Sequence, residues 1–287
     1  MKTSRNDAEK VRLIFTWVAF HVDYDAKAIN TGKYGDMSAE GVLKSRKGVC
    51  MGFANLFYEL CNATGVEAVK ISGYAKGYGY QPGQKFFKTD HAWNAVHIEG
   101  NWHLMDVTWG QGYGETRRGK MVARKQFDDY WFDAHPKEFI FTHFPEEEKW
   151  QMIEAPITKT QYEKLPYINP LLFYYRFNKD EIFRLVMKKK NTQFVNLYDV
   201  EIPVKILTAP LLRDVKKGEP FSCVIQSEDA YEIAAIINNK WTRFTNEGNQ
   251  FELTFKPEAG ELHIGIKVQK KDKEYQTILS YRIVRTK

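Results

Sequence analysis

Apolar and polar positions along the first half of the chain repeat with two periods, and the change of period marks the elements. Over residues 7–21, Val11, Ile14, Phe15 and Val18 recur at the spacing of one helical face, with Asp7 placed to cap the start. The same spacing returns at Phe53, Leu56, Phe57 and Leu60, which predicts a helix that begins near Cys50 and stops at Gly65. Between them, Ser38 is placed to cap a short helix through Leu43. Val66–Tyr74 carries the β-branched and aromatic residues of a strand, whereas Gly73–Gly83 is too rich in Gly and Tyr to be regular and reads as a hairpin or loop at the mouth of a site.

His91–Gly110 has the period of two in two halves that meet at Glu99-Gly100, which predicts a hairpin. A two-residue turn there pairs Ile98 with Asn101 and, counted back, Trp93 with Asp106. His91 and Asp106 then lie diagonally on one face, within hydrogen-bond reach; a slip of one residue would separate them. His97 sits about 20 Å away at the turn end and His103 faces the other side, so these three histidines do not converge on a zinc ion, whose ligands lie ~2 Å from it.

Residues 127–150 are dense in aromatics, and nothing in the pattern brings His135 or His143 beside Cys50, so both read as structural histidines. Residues 155–170 hold Pro156, Pro166 and Pro170, and the pattern changes after them. The expected division is a domain over 1–157, a linker over 158–170 and a second domain over 171–287. In that second part Leu171–Phe177, Val204–Thr208, Phe221–Gln226, Tyr231–Asn238, Gln250–Lys256, Leu262–Gln269 and Tyr275–Ile283 read as short strands, the pattern of an antiparallel β-sandwich with Cys223 in its core.

The 287 residues carry a net charge of +6, scattered, with small basic runs at Lys188–Lys190 and Lys270–Lys273 that read as solvated faces; nucleic acid is not an expected partner. No apolar run approaches the ~20 residues of a membrane span. The start, MKTSRNDAEK, lacks the apolar core of a secretory leader, but a helix beginning almost at Met1 leaves room for a leader already removed, so the compartment, export included, stays open. The three cysteines, Cys50, Cys61 and Cys223, do not form a disulfide framework. On one helix Cys50 and Cys61 lie about 16 Å apart, beyond bridging distance. A Cys50–Cys223 bridge would join the two domains and silence a nucleophile, and the pattern leaves that pairing open.

Cys50 is the residue on which chemistry turns. At a helix N-terminus, unpaired N–H groups and the macrodipole favour a thiolate, and Gly48 and Gly52 let backbone or substrate approach. The alternative for a free cysteine on an apolar helix is a small buried hydrophobe, and a histidine partner decides between the two.

Three blocks, RKGVCMGFANLFYELC at 46–61, HAWNAVHIEGNWHLMDVTWG at 91–110, and the stretch from Phe127 to Gln151 ending in HFPEEEKWQ, together with SGYAKG at 72–77, carry a resemblance to the transglutaminase-like superfamily, most closely its kyphoscoliosis-peptidase type. The resemblance spans roughly residues 8–155 and implies an α+β fold: a papain-like core followed by an all-β immunoglobulin-like sandwich. It makes Cys50 the nucleophile, His91 its proton-transfer partner and Asp106 the group that orients His91, a triad for acyl transfer through a thioester. The Cys50 N–H would stabilise the oxyanion with a second donor, for which Trp17 and Tyr24 are the candidates, and Trp93, Trp109 and Tyr113 would shape the acyl groove or, equally, wall the core. No EF-hand-like loop is present, nor the CxxC pairs of the zinc-bearing peptide N-glycanase branch, so neither cofactor nor metal is expected. The first expectation is a hydrolase of protein or peptide amides. The second is an interaction protein that uses the same fold and the β-domain to bind partner proteins.

Overall fold

The computed structural model describes residues 4–188 and 192–285, so Lys189 and Lys190 of one basic run lie outside the described residues. The chain divides into two compact units, Met1–Tyr167 and Ile168–Lys287.

In the first unit, α1 (Ser4–His21) turns Val11, Phe15 and Val18 into the core. Asp7, expected as its cap, lies inside the first turn instead, where its carboxylate meets the helix dipole and pairs with Lys10 at 2.9 Å. After it come β1 (Asp23–Tyr24), α2 (Ala26–Thr31), α3 (Ala39–Ser45) and β2 (Lys47–Gly48). The Ser38 side chain caps α3 by accepting from the Gly41 N–H at 3.1 Å. Next, α4 (Cys50–Ala63) starts on the cysteine and buries Phe53, Leu56, Phe57 and Cys61. Gly52 serves packing rather than substrate access: a Cβ there would lie 2.8 Å from Val42 on α3.

β3 (Ala68–Ala75), β4 (His91–Ile98) and β5 (Asn101–Met105) form the middle of a sheet, and α5 (Val107–Gln111) follows directly. β6 (Gly112–Arg117) and β7 (Lys120–Lys125) make a separate ribbon. Then β8 (Phe132–Ala134), α6 (Pro136–Phe139) and β9 (His143–Pro145) complete a five-stranded antiparallel sheet of order β8-β5-β4-β3-β9. The hairpin register runs from Ile98↔Asn101 to Asn94↔Met105, as the two-residue turn predicts. Glu99 and Gly100 both have positive φ, 52° and 82°, the geometry of a type I′ turn.

Residues 158–170, expected as a linker, begin instead with a helix of this unit, α7 (Lys159–Lys164), closed by a capping box between Thr158 and Gln161. Ile157, Tyr162 and Leu165 are buried, and the buried Lys76 ammonium donates to the Tyr162 and Leu165 carbonyls at 2.8 and 2.9 Å, satisfying the C-terminal end of α7. Prolines at 156 and 166 bracket this helix rather than marking a free chain.

The second unit opens with helices at Leu171–Tyr174 and Lys179–Lys188, where a strand was expected over 171–177. A short apolar run does not by itself distinguish the two, and here the Asn169 side chain accepts from the Leu171 N–H at 3.0 Å and starts a helical turn. The remaining strands form two sheets. One contains Glu232–Ile237, Gly260–Lys267 and Gln276–Val284, the other Phe221–Gln226 and Gln250–Phe255, close to the expected limits. The arrangement is antiparallel except for Asp214–Lys216, which pairs parallel to Gln276–Val284. Phe221 of one sheet meets Tyr281 of the other edge to face at 5.1 Å, and Cys223 is fully buried. Among the described residues no helix is long and apolar enough to cross a membrane.

Candidate active site

Three elements converge on Asp106. It ends the β5 extension and caps α5, its Oδ1 accepting from the Trp109 N–H at 3.0 Å. Its Oδ2 faces His91, the first residue of β4, whose Nε2–H donates at 2.6 Å. The same oxygen accepts a second bond from His143 Nε2, at 3.0 Å, at the start of β9. The carboxylate is fully buried, so these three donors replace water. With Nε2 committed to Asp106, Nδ1 is the ring nitrogen left for another partner, and Cys50 lies near enough to His91 to raise its pKa. Cys50 itself is partly exposed and unbridged, as are Cys61 and Cys223 unbridged.

The helix carrying Cys50 is fixed to the strand carrying His91 by a buried amide. Asn94 donates to the Ala54 carbonyl on α4 and to the Val69 carbonyl on β3, both at 3.1 Å. α4 has no side-chain cap at Val49, and the Gly52 N–H turns back to the Val49 carbonyl at 2.8 Å, so the N–H groups of Cys50 and Met51 are the ones an uncapped helix start offers there.

Electrostatics within the cluster separates the charges. Burial alone lowers the His91 pKa, but the Asp106 carboxylate, with the Cys50 thiol adding to it, outweighs burial and raises it to about 10. Burial alone raises Asp106, and the two imidazoles hold it well below the usual carboxylate range. His143 is pushed down to about 4 by burial, against the pull of Asp106. At neutral pH the cluster is therefore an imidazolium and a carboxylate backed by a neutral imidazole.

Ligating atoms of His91, Asp106 and His143 all lie within 4.8 Å of one another. Two ligands on tetrahedral zinc stand about 3.3 Å apart. The 2.6 and 3.0 Å contacts here are tighter, the lengths of N–H···O bonds to a carboxylate.

Residues 1–107 match the family model of the transglutaminase-like superfamily. Kyphoscoliosis peptidase of Mus musculus is 38% identical over 168 residues, a match covering 58% of this chain and 25% of that one. Hillarin of Drosophila melanogaster is 35% identical over 185 residues, covering 59% and 22%. The first part of the chain is thus similar in sequence to the transglutaminase-like superfamily, and the relatives it matches include kyphoscoliosis peptidases. The chain spans about a quarter of the length of these relatives. A crystal structure of a TGase aligns over 65% of this chain and 51% of its own, at 17% identity and a TM-score of 0.30, and the similarity rests on the sequence matches.

Within this transglutaminase-like unit the expected site residues fall into three groups. Cys50, His91 and Asp106 come together, and Trp109 walls them, its ring centroid 5.6 Å from His91 and 4.4 Å from His143. Gly77 makes room for that indole, since a Cβ there would stand 2.8 Å from it. Tyr24 belongs to the same neighbourhood: burial raises its phenol pKa, and Cys50 and Asp106 raise it further. The expectations at Trp93 and Trp17 are corrected. Trp93 is not a groove wall but core, fully buried against Phe139 and His143. Trp17 lines an apolar groove of about 600 Å³ between α1, α3 and α4, under the Arg46 guanidinium at 4.6 Å. Tyr113 stands on the β6 ribbon, 54% exposed. His97 and His103 turn to Glu67 and Asp133 respectively, and His135 caps α6. The residues that sequence reasoning missed are Asn94 and His143. A polar residue in the middle of an apolar β4 was a signal for the first; the second depends on the β3–β9 pairing, which has no local signature.

Proposed function

We propose that the transglutaminase-like unit is a cysteine-dependent acyl-transfer enzyme, a hydrolase of protein or peptide amides. The observation that carries this reading is the buried His91–Asp106 ion pair, at 2.6 Å, in the neighbourhood of a cysteine at a helix start. Cys50 attacks the amide carbonyl as a thiolate. The oxyanion is received by the Cys50 backbone N–H and, of the two upstream candidates, by the Tyr24 phenol, which has the Cys50 environment that Trp17 lacks. His91 then gives its Nδ1 proton to the leaving amine as the C–N bond breaks, leaving a thioester on Cys50. Water adds with His91 as base, the C–S bond breaks, and the acid product leaves with the thiolate restored. Hydrolysis is preferred to amine transfer because it needs no second substrate site. The C-terminal two-sheet unit is read as an immunoglobulin-like domain that presents or recognises the substrate.

The test is covalent trapping. Incubation with peptide thioesters or activated peptide esters, stopped in acid, is expected to leave an acyl mass on Cys50, decaying as free acid appears. Acylation confined to lysines, with Cys50 bare, would contradict it. A second reading, an interaction protein, draws on the apolar groove beside α1 and its exposed Leu13 and Phe20. It predicts that Cys50→Ala leaves partner binding and cellular phenotype intact while the double change Leu13→Glu and Phe20→Glu, in that groove, abolishes both.

A further inference from the structure

The Cys50–His91–Asp106 arrangement uses one imidazole, yet two are bonded to the same carboxylate oxygen. His143 is fully buried, and its ring is clamped: Phe139 stacks on it at 3.8 Å and 16°, with Trp109 at 4.4 Å, Trp93 at 5.2 Å and Trp131 at 5.4 Å. The tautomer follows from its partners. Nε2 faces a carboxylate oxygen at 3.0 Å and must carry the proton, so Nδ1 is the acceptor. It accepts from the Thr142 hydroxyl at 2.8 Å, closer than the 3.2 Å that hydroxyl keeps to the Phe139 carbonyl. The charged groups bearing on His143 are Asp106 and His91.

We propose that His143 is a positioning residue for the acyl-transfer site, a fixed neutral N–H donor that keeps Asp106 ionised and aimed at His91 whichever protonation state His91 is in. The inference rests on the acyl-transfer reading. In that cycle His91 passes its Nδ1 proton to the leaving nitrogen, which takes the electron pair of the broken C–N bond, and His91 becomes neutral. Asp106 then loses its cationic partner while remaining wholly out of water. Two N–H donors that do not titrate in step with the reaction remain on it, Trp109 on Oδ1 and His143 on Oδ2. A buried carboxylate stripped of one such donor takes up a proton more readily, and a protonated Asp106 no longer supports the His91 imidazolium.

Two substitutions separate donation from packing. His143→Gln keeps an N–H near the place of Nε2 and loses the ring stack; His143→Phe keeps the stack and loses the donor. The readout is the rate of Cys50 alkylation by iodoacetamide across pH 4–8, with thermal melts on the same samples. His143→Phe is expected to slow alkylation about ten- to a hundredfold at acid pH and to move the acid limb of the profile upward, whereas His143→Gln stays near the wild-type profile. The reverse ranking, Phe like wild type and Gln impaired, would make His143 a packing residue and overturn the inference while leaving the acyl-transfer reading in place. A wild-type Cys50 with no acid-stable reactivity would instead remove the reading on which it rests. Independently of any variant, ¹⁵N spectra of histidine-labelled protein are expected to show His143 neutral and protonated on Nε2 from pH 5 to 8. A proton on Nδ1, or a His143 that titrates in that range, would refute the proposal.

Discussion

The two units bury different things. Among the described residues, the interior of the first holds Lys76, His91, Asn94, Asp106 and His143, while that of the second holds no buried histidine, carboxylate or ammonium, only Ser227 and Ser280 beside Cys223, Tyr175 and Tyr281. An interior made of Phe221, Ile225, Ile264, Ile266 and Leu279 is what packing alone selects. Removing two imidazoles and a carboxylate from water is unfavourable unless their donors and acceptors are paired, and here both Nε2 atoms, His143 Nδ1 and the carboxylate are. The contrast teaches that the chemistry of the chain is concentrated where folding gains least from it. The cysteines repeat the lesson: burial pushes the Cys61 thiol up to about 12 and Cys223 higher still, whereas Cys50 is partly exposed beside an imidazolium.

The sharpest way to break this contrast is at His91. His91→Ala is expected to reduce acid-pH alkylation of Cys50 by a hundredfold or more, about the share of general acid–base groups in catalysis, as read by mass spectrometry. Substituting Phe221→Ala in the other unit is expected to leave that rate unchanged.

Stability offers a second comparison. Asp106→Asn leaves His91 a buried cation without a partner and is expected to destabilise the first unit by about 3–5 kcal/mol, in calorimetry or hydrogen exchange. Phe221→Ala is expected to cost about 3–5 kcal/mol as well, but in the second unit, by cavity formation. Equal loss of protection in both units from either change would contradict the separation.

The pH dependence distinguishes them further. His143 has a folded pKa of about 4, below its unfolded value of about 6.5. The unfolded chain therefore binds more protons between these values, and the first unit loses stability as pH falls from 6.5 to 4. His91, raised to about 10, contributes stability that is fully present below 6.5 and lost as pH rises through 10. Lys76, lowered to about 8, acts in the opposite sense above pH 8, so the alkaline loss is cleanest between 6.5 and 8. Melting the two units across pH 4–8 is expected to show an optimum near 6.5 for the first and a flatter profile for the second. The smallest effect is expected at Lys76→Met, which removes the ammonium donor from the Tyr162 and Leu165 carbonyls at the end of α7 and lowers the stability of the first unit by about 1–3 kcal/mol. It is expected to leave Cys50 reactivity near wild type.

Much of the site was legible because its rules are local. A two-residue turn and a period of two place His91 and Asp106 on one face, and the helical stripe behind Gly48 places Cys50 at a helix tip. What was illegible depends on distant pairing. Trp93, next to His91 on one strand face, could have been groove or core, and β9 and α6, arriving some 50 residues later, cover it and decide for core. The same arrival delivers His143 to Asp106. Trp17 failed for a different reason: the neighbours of Val18 and Phe15 on one helix point to opposite sides, and the indole falls on the side of Leu13 and Phe20. The short helix at Leu171–Tyr174 was lost to an ambiguity of apolar runs, which a proline and an asparagine resolved.

The central claim is most directly tested by the pH profile of Cys50 alkylation in the wild-type chain, measured beside Cys61 as an internal standard. The account predicts that Cys50 remains reactive two or more units below the ~8.5 at which a free thiol titrates, that Cys61 stays silent, and that His91→Ala abolishes the difference. Equal labelling of the two at mildly acidic pH, or a Cys50 profile indifferent to His91, would contradict it.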